Sequence, residues 1–212
     1  MIKLAVGLLH HPIYDRSRNV VATNITNLDI HDIARVSKVY GLENYFIIHP
    51  ATEQLMFVER LLDHWRTGDG IKTHSIRSEA LGIVRTAESI DQAKRLWLSK
   101  DGLGNSDEKV EIIGTTARNI PGVDRVSFKA LREEFDANNS DPNGQQKTQK
   151  KTQKKTRRVL LLFGTGFGMT DEVLQGCDRI LEPLKGAPPV DYRHLSVRSA
   201  VSICLDRLMA SW

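Results

Sequence analysis

Four short runs constrain this chain more than anything else in it: Lys3–Leu9, Tyr45–His49, Val110–Gly114 and Val159–Phe163. Each is almost uninterruptedly apolar, too short for a helix, and followed by polar or turn-forming residues. Strands buried on both faces read this way. Between them lie stretches with helical spacing. Asp29–Tyr40 is one, with Asn27 or Asp29 as its expected N-cap and Gly41 past its end. Thr52–Arg66 is another, with Leu55, Val58, Leu62 and Trp65 on one face. Arg77–Trp97 reads as partly helical around a strand near Leu81–Thr86, and Ser127–Phe135 as a helix. Asp171–Leu174 is a short helix and Ile180–Leu181 a very short strand. The last helix, Ser196–Met209, carries a stripe of Val197, Ala200, Val201, Cys204, Leu205 and Leu208. HHPIYDRSRNVVATN, residues 10–24, reads as loop. Short apolar strands alternating with helices predict an α/β fold, a mostly parallel sheet flanked by helices.

Parallel sheets place ligand sites at the carboxyl ends of their strands. That directs attention to His10–His11, His49–Pro50, Thr115–Thr116, Gly164–Gly168 and Glu182–Pro183. Adjacent histidines on a strand point to opposite faces, so His10 and His11 make a poor metal site, and no metal is expected. The glycine run FGTGFGMT invites comparison with the dinucleotide fingerprint G-x-G-x-x-G. Gly164 and Gly166 fit, and Glu182 lies near where a ribose-binding acid would stand. The third glycine is replaced by Met169, and only 44 residues follow Gly168, too few for the rest of a doubly wound domain. No Gly-Lys-Ser/Thr follows either, which excludes a P-loop. What remains is a tight turn without a ligand, or a loop whose backbone a ligand approaches unobstructed.

The 212 residues, 40% hydrophobic, are enough for a proper core, and a single domain over 1–212 is expected. Cys177 and Cys204 form no paired motif, which suits a reducing cytoplasm. The longest purely apolar run, Val159–Phe163, is far short of the roughly 20 residues of a membrane span, so no membrane partner is expected. The N-terminus reads as a first strand, not a signal peptide. The net charge of +4 is local: KTQKKTQKKTRR, Lys147–Arg158, holds seven basic residues, and outside it 23 basic residues face 26 acidic ones. Residues 136–158 have the composition of a disordered insert. Such a tract either contacts RNA phosphates through counterion release or merely solvates the surface.

FGTGFGMTDEVLQGCDRILEPL followed by YRHLSVRSAVSICLDRL resembles the two C-terminal motifs of the SPOUT (α/β-knot) RNA methyltransferases. TNLDIHDIARVSKVYGL resembles their first motif, and the blocks stand in family order over nearly the whole chain except the basic insert. VGLLHHPI and TNLDIHDIAR match a stand-alone bacterial branch most closely. The resemblance implies a C-terminal trefoil knot, S-adenosylmethionine as cofactor, tRNA or rRNA as partner, and a homodimer with sites at its interface. It implies cofactor contacts from Thr115 and Thr116; from Gly164, Thr165, Gly166 and Gly168, the glycines leaving room for a bent cofactor; from Leu181, Glu182 and Pro183; and from His194, Leu195, Ser196 and Val197. Arg35 matches the first motif's arginine and is the expected catalytic residue. An always-protonated guanidinium makes a poor base, so its role would be to orient the nucleotide or stabilise developing negative charge. His31 and Lys38 share its helix face at i−4 and i+3, and with Asn27 and Arg77 form the expected substrate-binding set.

Three departures from the family pattern stand out. Gly166 replaces a glutamate of one branch, Arg193 replaces a common asparagine, and His74–Ser75 replaces an Asn-Pro pair. Arg193 keeps open a non-catalytic RNA-binding or cofactor-sensing protein on the same fold. A nucleotide-dependent oxidoreductase rests on the incomplete glycine match alone.

Overall fold

A computed structural model describes residues 2–67, 75–100, 102, 108–139, 156–189 and 192–211. Its strands are β1 (Ile2–Leu9), β2 (Ile13–Tyr14), β3 (Val20–Val21), β4 (Tyr45–Ile48), β5 (Val84–Ala87), β6 (Val110–Thr115), β7 (Arg125–Val126), β8 (Arg157–Gly164) and β9 (Arg179–Leu181). Its helices are α1 (Asn27–Val39), α2 (Thr52–Arg66), α3 (Ser75–Leu81), α4 (Ile90–Lys100), α5 (Phe128–Asn139), α6 (Asp171–Gln175) and α7 (Val197–Met209). Seven strands form one sheet in the order β5-β4-β1-β8-β6-β9-β7, and every pairing in it is parallel.

The apolar runs are strands because both faces are covered. Leu4, Val6 and Leu8 of β1, and Val159, Leu161 and Phe163 of β8, face a core built with α1, α2, α5 and α7. The alternate residues, Ala5 and Leu9 with Leu160 and Leu162, face a second core with Trp97 of α4 and Leu174 of α6. The side-chain period of two sends each strand's neighbours into opposite layers, leaving no polar face. Among the described residues no helix is long and apolar enough to cross a membrane.

Three expectations are corrected. Residues 10–24 are not all loop: Ile13–Tyr14 and Val20–Val21 pair as an antiparallel hairpin. The cap of α1 is Thr26, not Asn27 or Asp29; its hydroxyl accepts from Asp29 N and donates to the Asp29 carboxylate at 2.7 Å. At the edges of the stretch expected to be a disordered insert, residues 136–158, residues 136–139 continue α5 and Arg157 and Arg158 begin β8; 140–155 lie outside the described residues, as do 68–74 of the glycine-bearing loop after α2. Beside the insert, Arg157 and Arg179 each bond both Glu111 and Glu134 at 2.6–3.0 Å. This closed ring of charges ties β6, β8, β9 and α5 together.

Candidate cofactor cleft and basic groove

Strand order decides what meets at the sheet's carboxyl edge. β1, β8, β6 and β9 are consecutive neighbours, so the loops that follow them converge. They line an open cleft of about 1140 Å³ with Thr115 and Thr116, the whole Gly164–Gly168 loop, and His194–Val197 at the start of α7. A smaller chamber of about 130 Å³ continues inward past Leu181, Glu182 and Pro183 to Phe163, Ala200 and Cys204. Thus every residue expected at the cofactor lines one or other of two adjoining cavities, which share Thr115, Thr116, Ala117, Phe163, Arg193, Leu195 and Ala200.

Two of the three glycines are also required by close packing within the protein. A Cβ on Gly164 would lie 2.6 Å from Met169 Cγ and 2.8 Å from Met169 N, so the loop folds back onto that space. A Cβ on Gly166 would meet Ile13 Cγ2 at 3.0 Å and Tyr14 O at 3.2 Å, in the β2–β3 hairpin. Only at Gly168 is the space open. Met169, which breaks the dinucleotide pattern, is the buried side chain that closes the loop.

The hairpin and the loop hold each other. Tyr14 N donates to Gly168 O at 2.9 Å and Phe167 N to Tyr14 O at 3.0 Å. Behind them His10 is fully buried, with Nδ1 at 3.1 Å from Thr23 Oγ1, which lies 2.5 Å from Thr165 Oγ1. Burial, and then the neighbouring His49, lower its pKa to about 4, so at neutral pH the ring is uncharged. His10 therefore fastens the glycine loop from behind and does not line the cleft. Glu182, which lines the inner chamber, also accepts Phe128 N at 2.6 Å at the first turn of α5. Arg118, absent from the sequence-based set, lines the cleft and bonds Asp171 and Met169 O. Its signal was the TTAR segment after β6, where Thr116 Oγ1 accepts from Arg118 N at 3.1 Å.

The basic residues gather elsewhere. Arg35, Lys38 and Arg77 line a groove of about 570 Å³ between α1 and α3, together with Val39 and Ile76. Lys38 pairs with Glu79 at 3.1 Å, whereas Arg35 is exposed and forms no ion pair among the described residues. His31 and Arg77 both pack on Trp65, the imidazole edge-on at 5.6 Å and the guanidinium over the ring at 5.3 Å. Asn27 is exposed at the start of α1 and lines neither cavity. On the same helix Asp29 lines the cleft and Arg35 the groove. Within one protomer the expected catalytic arginine and the expected cofactor loops are thus separate.

A family model described as SAM-dependent RNA methyltransferase matches residues 3–210. The chain belongs to this family. It is 35% identical over 206 residues to a tRNA (guanine-N(1)-)-methyltransferase of Nitratidesulfovibrio vulgaris, covering 97% of the chain and 42% of that protein. It is 33% identical to a protein of Aquifex aeolicus, of which it covers 87%. The chain spans less than half the length of the first relative, so that protein's substrate stays with that protein. Among solved structures, a probable methylase family protein from Haemophilus influenzae superposes with TM-score 0.54 at 18% identity, over 98% of this chain and 64% of the other. A probable methyltransferase from Bordetella pertussis gives 0.50 at 15%, over 98% and 92%. These two share the fold, a mostly parallel sheet flanked by helices. Family membership agrees with the resemblance to the SPOUT RNA methyltransferases and removes the oxidoreductase reading.

Proposed function

We propose that the protein transfers a methyl group from S-adenosylmethionine to a nucleotide of structured RNA, a tRNA or an rRNA. The supporting observation is the convergence of all four cofactor segments on two adjoining cavities at the carboxyl ends of β6, β8 and β9. The residues suit the cofactor. The inner chamber sets the apolar Phe163, Leu181, Leu195, Ala200 and Cys204 beside the polar Thr115, Thr116, Glu182 and Arg193, a slot for a flat base with hydrogen-bonding edges. The wider cleft adds hydroxyls from Thr116 and Ser196 and open space at Gly168 for the polar remainder. Its volume is ample for a ligand of this class. When bound, S-adenosylmethionine supplies a methyl carbon whose bond to sulfur breaks as the acceptor's lone pair bonds it. The acceptor's proton leaves to solvent or a base.

The chain's own contribution is positioning. In-line displacement rewards holding acceptor and methyl carbon in near-attack geometry. Arg35 has the charge for that but lies in the α1–α3 groove, apart from its own cleft. We place it opposite the cleft of a second protomer, in a homodimer in the cytoplasm, with the C-terminal segment forming a knot. Arg35, Lys38 and Arg77 would then orient an anionic RNA strand over the partner's cofactor. The test is transfer of labelled methyl from S-adenosylmethionine to total RNA from a strain lacking this gene. Incorporation is expected. Cofactor binding with no incorporation would favour the cofactor-sensing alternative that Arg193, lining both cavities, keeps open.

A further inference from the structure

One ring at the cleft, that of Phe167, is left largely uncovered by the described residues. Phe167 is 59% exposed, so it forgoes the burial that ordinarily stabilises a phenylalanine. Yet it stands on a firmly held part of the cavity wall. Gly166 and Gly168 on either side take φ values of 55° and 96°. Phe167 N bonds Tyr14 O, Tyr14 N bonds Gly168 O, and Gly168 N bonds Thr165 O, all at 2.9–3.0 Å. Tyr14 is itself gripped: Arg18 lies over its ring at 4.5 Å and Arg118 at 5.2 Å, and Asp171 pairs with both guanidiniums. The backbone that carries Phe167 is therefore pinned. A second aromatic, Tyr192, is 68% exposed on the same cleft, its ring 5.5 Å from that of His194.

An exposed aromatic on a pinned backbone, in a cleft that Arg118 and Arg193 also line, suits an unstacked nucleobase, because every base offers a π-face while its phosphate seeks positive charge. We propose that Phe167 binds substrate: the acceptor nucleobase, turned out of its RNA helix, stacks on this ring, which sets the base against the cofactor cleft. The assignment rests on the methyltransferase reading. The rival occupant is the cofactor's own adenine, and the narrower inner chamber, with Phe163, Leu181 and Cys204 beside Thr115 and Glu182, suits that group better.

The experiment compares the wild type with F167A, F167L and F167W. Cofactor affinity is read by calorimetry with S-adenosylmethionine, RNA retention on filters and labelled methyl transfer with total RNA from a strain lacking the gene, and folding by thermal unfolding. An exposed ring should tolerate all three substitutions. The expected result for F167A is unchanged cofactor affinity and a fall in kcat/KM for RNA of about ten- to a hundredfold. F167W should restore activity and F167L should not, a distinction that a merely structural role would not produce. Wild-type behaviour of F167A, equal rescue by Leu and Trp, or weakened cofactor binding in step with the rate would each overturn stacking while leaving the enzyme reading intact. A wild-type protein that binds the cofactor but neither retains nor methylates this RNA would overturn both.

Discussion

Gly164→Ala is the sharpest probe of how the glycine loop works. The added methyl would lie 2.6 Å from Met169 Cγ and 2.8 Å from Met169 N. The thioether chain can rotate away, but the backbone nitrogen cannot. Reaching ordinary contact near 3.5 Å requires the loop to move by roughly 0.7 Å. Overpacking of this kind costs about 1–3 kcal/mol. For a chain of this size that lowers Tm by roughly 2–12 °C. The moved loop is a wall of the proposed cofactor site, and 1 Å misplacements cost on the order of 10²-fold in rate. Differential scanning calorimetry and methyl-transfer kinetics on wild type and variant would read both effects. A variant with unchanged Tm and unchanged kcat/KM would refute the claim that Gly164 is required by close approach.

Gly168→Ala should lose about 1–3 kcal/mol for another reason, since its Cβ meets nothing and only the φ of 96° is strained. Arg35→Ala should retain S-adenosylmethionine binding and lose about a hundredfold or more in transfer; equal activity would remove Arg35 from the mechanism. His10 gives a pH signature. Its folded pKa is lowered from 6.5 to about 4, so the unfolded state binds the proton more readily between those values. Stability should therefore fall as pH drops through that window, by up to about 3 kcal/mol. Urea unfolding at pH 7.0 and 4.5 should show a smaller loss in His10→Gln; an identical loss would count against a buried neutral imidazole. Glu134 shifts stability in the same direction, its pKa held below the ordinary carboxylate range mainly by Arg179 and then Arg157. Its contribution is present above that range and lost as pH falls through the depressed value. Glu134→Gln should cost about 1–2 kcal/mol at neutral pH and less in high salt, and an unchanged urea midpoint would show the charge ring to be decorative.

The strands with two buried faces were legible because continuous apolar runs leave few other folds. The same holds for α2 and α7, whose stripes are regular. The β2–β3 hairpin escaped because two-residue strands carry no period, and Asp15 to Asn19 reads as turn whatever flanks it. The edge strand Arg125–Val126 escaped for the same reason. The Thr26 cap was available in the sequence, since a threonine three residues before an acid is a capping pattern. The cleft's residues were foreseeable from strand ends, but their convergence depends on β8 lying between β1 and β6, which chain order does not reveal. Nor does the sequence show that Met169 fills the space beside Gly164. The separation of Arg35 from the cleft belongs to tertiary geometry alone, because Asp29 and Arg35 share one helix and differ only in which cavity they face.

The most direct test of the central claim is a crystal structure of the protein grown with S-adenosylmethionine. One cofactor is expected in each cleft, its adenine in the chamber beside Leu181 and Cys204, its methyl group directed toward the mouth that carries Phe167. Density for the cofactor anywhere else, or none at saturating concentration, would contradict that claim.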